Sequence, residues 1–500
     1  MAIRESSTHE SNEGSARHRH AGWLLLALIV AGVTLAKLHL IASGPDLDSD
    51  AYGHALAGRK MLMDFTDLTV HWVWLPFLHG IYASTTALGL HPNVVRVLSV
   101  AASSASPVLL ALALRRHSVS LPPSNNPRFL AFEPHLPWIA GSLLAIEPLS
   151  FAMGECGQTE SFFQLAIVAG AFAFDRRTYW LSGLAFGIAA ALRFEGWALL
   201  PVLLLLSLRE GSNRLRAAAS WAIPGVLVAL WCLLQYRSTG VFLGFFRVNR
   251  DFVQGYFQDV GYPWGPHPQR LWMILWYGLL IPASQMFGPA YALTFTSAGW
   301  MNTRAPRSLW WTGVALLVIV TAGFVSGSHL GLARHAVVLA PLFAVALAAG
   351  LGQTATWAHR RFDRLQQWPQ DTVVRAGALL VLACVVAPGT ARVYLKRRKE
   401  HATAFASQAA AARSLCQEAS NVTVIFCDNV GVEVLSALPP ALFARFDPDL
   451  KEPRLPWSYE THRAALAVTT QQRASHTSPQ WHVAWSDPNL VVLRFVPTAQ

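Results

Sequence analysis

Three aspartates at alternate positions, Asp46, Asp48 and Asp50, stand just past the first long apolar run, in the segment Asp-Leu-Asp-Ser-Asp-Ala-Tyr. Carboxylates are costly near a bilayer and are rarely kept there without a task. One at such a boundary can take the proton from an attacking hydroxyl. A second reading is a solvated acidic turn that caps a helix beginning near Ala51. A calcium loop of the D-x-D-x-D type is excluded, because Ala51 and Ala57 occupy the positions that need Gly and Glu.

Four further polar groups interrupt apolar sequence. Glu155 and Glu160 flank Cys-Gly-Gln-Thr, and Arg193 and Glu195 share the turn Arg-Phe-Glu. Arg247 and Arg250 lie with Asp251 in a loop rich in aromatic residues, and Arg334 precedes His335 at the head of an apolar run. Arginine suits a phosphate, since its planar fork offers paired charged hydrogen bonds and stays protonated. Each group also has a structural reading. These are a polar turn for the two glutamates, a mutual pair for Arg193 and Glu195, an interfacial anchor for the loop, and a snorkelling helix-end arginine for Arg334. His54, His71 and His79 have no spacing matched to a metal.

The elements that must position these residues are mostly built for lipid. Of 500 residues, 53% are hydrophobic and only 13% charged, with 19 Trp, 26 Phe and a mean hydropathy of +0.34. An ordinary soluble domain carries about 25% charged residues. Apolar runs near 22–42, 94–114, 136–154, 160–174, 179–192, 196–208, 217–236, 271–299, 309–327, 334–353 and 375–391 predict about eleven spans. Those between 160 and 208 are short. The net charge of +11 falls in small clusters between the runs, which points to topology and anionic lipid rather than nucleic acid.

Parity decides the topology expected. If Trp72 to Leu90 rests at the interface, the clusters at Arg115-Arg116, Arg176-Arg177, Arg209 to Arg216, Arg304 with Arg307, and Arg360 to Arg364 all share the side of the basic N-terminus. If it crosses, all five oppose the positive-inside rule. The expected map is therefore a cytoplasmic tail at 1–21 and a membrane domain at 22–391, with outer loops at 43–93 and 237–270. The run after the tail reads as a retained signal anchor. Beyond it lies an extracytoplasmic α/β domain at 392–500, with strands at Val422–Cys427, Trp481–Trp485 and Leu490–Val496 and a helix at Gly431–Leu438. Among five cysteines without a C-x-x-C pair, Cys416 and Cys427 are either a bridge or two unrelated buried thiols.

An acidic motif after the first span, an acidic turn after the third, an Arg-x-Glu turn, a long outer loop, an Arg before an apolar helix with Pro, and a soluble C-terminal domain together resemble the GT-C superfamily. The likeness is greatest to the branch that holds protein O-mannosyltransferases and aminoarabinose transferases. It implies an integral membrane glycosyltransferase, inverting and hexosyl- or mannosyltransferase-like, in a multi-pass α-helical fold. A polyprenyl-phosphate sugar donor and an extracytoplasmic acceptor would be its partners, beside membrane lipids. Asp48, four residues before Tyr52, matches the catalytic Asp of the family, with Asp50 next. The resemblance assigns substrate-binding roles to Glu155, Glu160, Arg193, Glu195, Arg247, Arg250, Arg334 and His335, the last standing where Tyr is usual in an R-Y-x5-P element. A divalent cation, Mg or Mn, would join the acidic pair. The alternative is a transporter or flippase of lipid-linked glycans. Internal repeats and midplane charges would mark it, whereas the carboxylates here sit at span ends.

Overall fold

In lipid each backbone N–H and C=O must be paired inside the protein, so apolar runs of this length become helices. The computed structural model describes residues 6–44, 46, 48–66, 68–71, 74–120, 132–259, 271–418, 424–427, 465–469, 481–486 and 491–495. The main helices are α1 (Ser6–Ser43), α2 (Ser49–Met63), α3 (Pro76–Ala87), α4 (Asn93–Ser120), α5 (Leu136–Ala145), α6 (Pro148–Gly154), α7 (Thr159–Asp175) and α8 (Tyr179–Leu192). They continue with α9 (Leu199–Leu208), α10 (Ala219–Thr239), α11 (Gly244–Asp259), α12 (Ala298–Arg304), α13 (Arg307–Val325), α14 (Ala340–Arg361), α15 (Gln370–Val381) and α16 (Ala387–Glu418).

Among the described residues six helices are long and apolar enough to cross a membrane, and seven if α5 and α6, bent by 57°, form one span. The chain is a multi-pass membrane protein. The bend falls at Glu147-Pro148, where the proline disfavours a helical residue before it and Glu147 instead caps α6. The short expected spans between 160 and 208 are α7, α8 and α9, of 17, 14 and 10 residues.

One expectation changes. The run 271–299 is no continuous span. It breaks into 3-10 turns at Leu271–Ile274 and Gly288–Ser297 around π-helical turns at Trp276–Leu280 and Pro282–Met286. Pro282 and Pro289 each lack a backbone donor, and Gly288 takes the left-handed φ of 58°. Among the described residues of Trp72–Leu90 the helix is α3, whose 12 residues reach about 18 Å, short of a hydrocarbon core of about 30 Å.

α14 is the hub of the bundle: 94% of its most apolar stretch is buried, against 17% for α1. Small residues permit this, since close helix approach in lipid favours Gly and Ala at the contact. At Gly350 a Cβ would run into the carbonyl of Leu293.

α16 leads out of the bundle to a four-stranded sheet of β1 (Val424–Cys427), β2 (Ala465–Thr469), β3 (Trp481–Ser486) and β4 (Val491–Phe495), in the order β1-β2-β4-β3. β3 and β4, at the strands expected for Trp481–Trp485 and Leu490–Val496, pair antiparallel. β1 pairs in parallel with β2, a strand that the sequence reading lacks. The helix expected at Gly431–Leu438 lies outside the described residues. Cys416 is a free, exposed thiol, so it is neither bridged nor buried.

Candidate active site

The chain entering α2 brings two of the aspartates to Arg334. Asp48 is the N-cap of α2, its Oδ1 accepting the Asp50 amide at 3.1 Å. Its Oδ2 receives Nη1 of Arg334 at 2.7 Å, while Nη2 of Arg334 donates to Asp50 Oδ2 at 2.5 Å. Capping and ionic pairing thus coexist at Asp48.

Arg334 opens a 3-10 turn, Ala333–Leu339, which feeds α14. The loop before that turn is pinned on both sides. Trp276 Nε1 donates to the Gly331 carbonyl at 2.7 Å, and the Tyr277 hydroxyl to the Leu332 carbonyl at 3.2 Å. Gly331 has a φ of 70°, and any Cβ there would strike the Phe324 ring, so only glycine serves.

Glu160, in the first turn of α7, extends the cluster toward Arg193 at the C-terminus of α8. Each charge faces the helix end of opposite polarity. Arg193 Nη1 lies 2.8 Å from Glu160 Oε1 and 3.2 Å from Thr159 Oγ1, and its Nη2 lies 2.7 Å from Glu195 Oε1. Arg334 Nε stands 3.9 Å from that same Glu160 oxygen and has no hydrogen-bond partner. His335 approaches His329 through their Nδ1 atoms at 3.2 Å, and His329 Nε2 is 3.6 Å from Glu195.

The structure therefore brings together Asp48, Asp50, Glu160, Arg193, Glu195, Arg334 and His335, and adds His329 to them. It does not bring in Arg247 or Arg250, whose exposed side chains face Asp251 on α11. That helix packs against the turns next to Arg193 and His329. Phe246 packs 5.8 Å from Phe194 and 6.0 Å from Trp197, and Asn249 Nδ2 donates to the Ser328 carbonyl at 3.1 Å.

Glu155 lies elsewhere than expected of a substrate ligand. Fully buried, it receives Arg96 Nη2 on Oε2 at 2.7 Å and Arg397 Nη1 on Oε1 at 2.5 Å, with His401 Nε2 at 3.4 Å. Burial alone would raise its pKa, but the His401 contact and the two guanidiniums hold it down at about 2. Arg96 escaped the sequence reading, although a charged residue inside an apolar run such as 94–114 marks a candidate functional site.

The three histidines form a chain rather than a metal cage. His79 Nε2 meets His54 Nδ1 at 2.9 Å, and His79 Nδ1 meets His71 Nδ1 at 2.7 Å. Opposite nitrogens of one ring thus face different partners, and a neutral imidazole has one proton to donate between them. Burial first, then the charge of Arg334, pushes His54 down to about 3. No group of three or more His, Cys, Asp or Glu among the described residues is arranged for a metal ion. The carboxylates Asp48, Asp50 and Glu160 already face guanidiniums. The donor set does not fit a divalent cation.

No protein-family model matches the chain, and no curated protein does. Solved structures of ArnT from Cupriavidus metallidurans do. The apo structure matches with 15% identity and a TM-score of 0.56, over 95% of this chain and 98% of that one. A second, of ArnT bound to undecaprenyl phosphate, matches with 16% identity and a TM-score of 0.56, over 95% and 98%. The fold is that of ArnT. It is the GT-C type of membrane fold that the motifs led one to expect, and the ArnT likeness runs through the sheet-bearing C-terminal region as well as the bundle.

Proposed function

We propose that this chain is a membrane glycosyltransferase that moves a sugar from a polyprenyl-phosphate donor to a hydroxyl acceptor outside the cytoplasm. The observation that carries the reading is the Asp48–Arg334 contact at 2.7 Å, a carboxylate beside a guanidinium, which supports a base next to a phosphate-binding group. Undecaprenyl phosphate bound to ArnT, a protein of the same fold, supports the lipid donor.

In this mechanism the donor phosphate takes the free Nε of Arg334 and competes with Asp48 for Nη1. That exchange frees an Asp48 oxygen for the acceptor hydroxyl, which approaches the anomeric carbon from the face opposite the departing phosphate. Asp48 removes the acceptor proton, the acceptor oxygen attacks the anomeric carbon, and the bond from that carbon to the phosphate oxygen breaks. Polyprenyl phosphate leaves with the electron pair, and the configuration inverts. An apolar cavity of about 180 Å³, lined by Leu75, Pro76, Trp197, Leu227 and Trp231, suits part of an isoprenoid chain.

The course of α4 supports the orientation. Arg96 near its start joins the Glu155 network, while His117 near its end bonds the Arg304 carbonyl, and Arg304 pairs with Glu133. The site and the Arg115 and Arg304 clusters thus lie at opposite ends of one helix, which favours a cytoplasmic N-terminus and an outward-facing site.

Mass spectrometry of lipids copurifying with the protein tests the reading. A polyprenyl phosphate is expected. Its absence, together with no binding of added undecaprenyl phosphate in nanodiscs, would overturn the proposal.

A further inference from the structure

Behind the candidate active site lies a second ionic network, which runs from the helix of the C-terminal region to the loop that presents Asp48. Arg397, on α16, holds Glu155 Oε1 at 2.5 Å, and Arg96 holds Glu155 Oε2 at 2.7 Å. Arg96 spans the gap onward: Nη1 donates to the Gly44 carbonyl at 2.8 Å, Nε donates to the Glu155 carbonyl at 3.0 Å, and Nε stands 3.7 Å from Asp46 Oδ2. Asp46 completes the link, its Oδ1 accepting the Asp48 amide at 3.1 Å and its Oδ2 the Gly157 amide at 2.7 Å.

Every polar atom named in this path is occupied, and the contacts leave little play. The Asp46 amide donates to the Tyr52 hydroxyl at 2.7 Å, and the Tyr82 hydroxyl to the Gly157 carbonyl at 2.9 Å. At Gly44 a Cβ would lie 2.8 Å from the Cβ of His401, so the end of α1 and the face of α16 fit only without a side chain between them.

We propose that Arg397, Glu155, Arg96 and Asp46 are positioning residues, through which the seating of α16 sets the conformation of the Asp48 loop. Asp46 is then no second base. Both of its oxygens bind backbone amides, and it is the first of the three aspartates only as a bracket for the second. The C-terminal region, whose β4 contributes Arg494 to a 3.0 Å pair with Glu418 at the end of α16, gains a means to act on the site without touching it. Unseating α16 would loosen the catalytic loop.

This inference rests on the Asp48 reading for its catalytic meaning, but its test needs no substrate. Hydrogen exchange measured on the full chain in nanodiscs would compare wild type with Arg397→Gln, Arg397→Lys and Arg96→Gln. Exchange of the amides at 46–52 is expected to rise about tenfold in both Gln variants, with the buried stretch of α14 unchanged, as local opening without global unfolding requires. Arg397→Lys keeps the charge and is expected to stay within about twofold of wild type. If Arg96→Gln does not fold, the Arg397 pair alone decides. Wild-type exchange at 46–52 in Arg397→Gln, with α16 itself loosened, would overturn the inference. Loosened exchange in a protein that binds no polyprenyl phosphate would leave the positioning intact and remove the proposed function instead. If both readings stand, Arg397→Gln lowers kcat for transfer more than it raises KM for the donor.

Discussion

Two ionic networks stand back to back in this molecule, and they differ in how much water can reach them. In the one around Arg334, the side chains of Arg334 and Asp50 are 21% and 36% exposed, and one guanidinium nitrogen has no partner. In the one around Arg96, the side chains of Arg96 and Glu155 are 1% and 0% exposed, and both Glu155 oxygens are taken. Similar residue types therefore carry opposite meanings. A buried, saturated pair is expensive to break and has no room for a ligand. An accessible pair with a spare donor can exchange one partner for a phosphate.

The sharpest way to break this contrast is to neutralise one carboxylate on each side. Asp48→Asn keeps the cap on α2 and is expected to lose about 10²- to 10⁴-fold in transfer, with the melting temperature near that of wild type. Glu155→Leu should act first on stability, lowering it by about 3–5 kcal/mol, because Arg397 loses its paired carboxylate and Arg96 keeps only Asp46 at 3.7 Å, with transfer falling as the Asp48 loop loosens. Activity assays and thermal melts in the same detergent check both. Normal turnover in Asp48→Asn would move the base, and a stable Glu155→Leu would make the buried network dispensable.

A smaller effect is expected at Arg334. Arg334→Ala should weaken polyprenyl phosphate affinity by about ten- to a hundredfold, the worth of a charged hydrogen bond of about 1.5–3 kcal/mol, and Arg334→Lys by less. Equal affinities for wild type and Arg334→Ala, measured in nanodiscs, would take Arg334 out of the site.

The histidine chain beside the site should add a pH dependence to the melt. His54 and His79 are held neutral, burial being the main cause for both, so their pKa values in the folded state lie below the ordinary value of about 6.5. The unfolded chain then binds more protons as pH falls below about 6.5, and stability is lost on acidification by up to about 1.4 kcal/mol per unit for each histidine. Burial raises the Asp46 carboxyl, which works in the opposite direction. The decisive measurement is the difference between wild type and His54→Gln over pH 7 to 5. A slope unchanged in the variant would mean that His54 is already protonated, or exposed, in the folded state.

Much of the fold was legible in the sequence. Hydropathy alone marked the runs that became α1, α4, α10, α13 and α14, since lipid leaves an apolar backbone no alternative to the helix. Parity argued for an interfacial Trp72–Leu90, where the structure has the 12-residue α3. The run at 271–299 misled, because average hydropathy is blind to where Pro282, Gly288 and Pro289 interrupt the backbone ladder. The strand β2 was missed because Ala465–Thr469 is short and its pairing with β1 is parallel, a contact between residues far apart in the chain.

The residues of the candidate site show the same division. Sequence alone singled out Asp48, Asp50, Glu160, Arg193, Glu195, Arg334 and His335, because charge inside an apolar chain stands out whatever the fold. The sequence also offered the Arg193–Glu195 pair across its turn, but only the tertiary structure decided the pairing of Asp48 with Arg334, which are 286 residues apart, a separation at which no local pattern encodes a contact. It also decided which acid joins the Arg334 cluster and which joins the Arg96 network. Glu155 and Glu160 are alike in type and near neighbours in sequence. Burial beside Arg96 and Arg397 made one a bracket, and a position between Arg193 and Arg334 put the other in the candidate site.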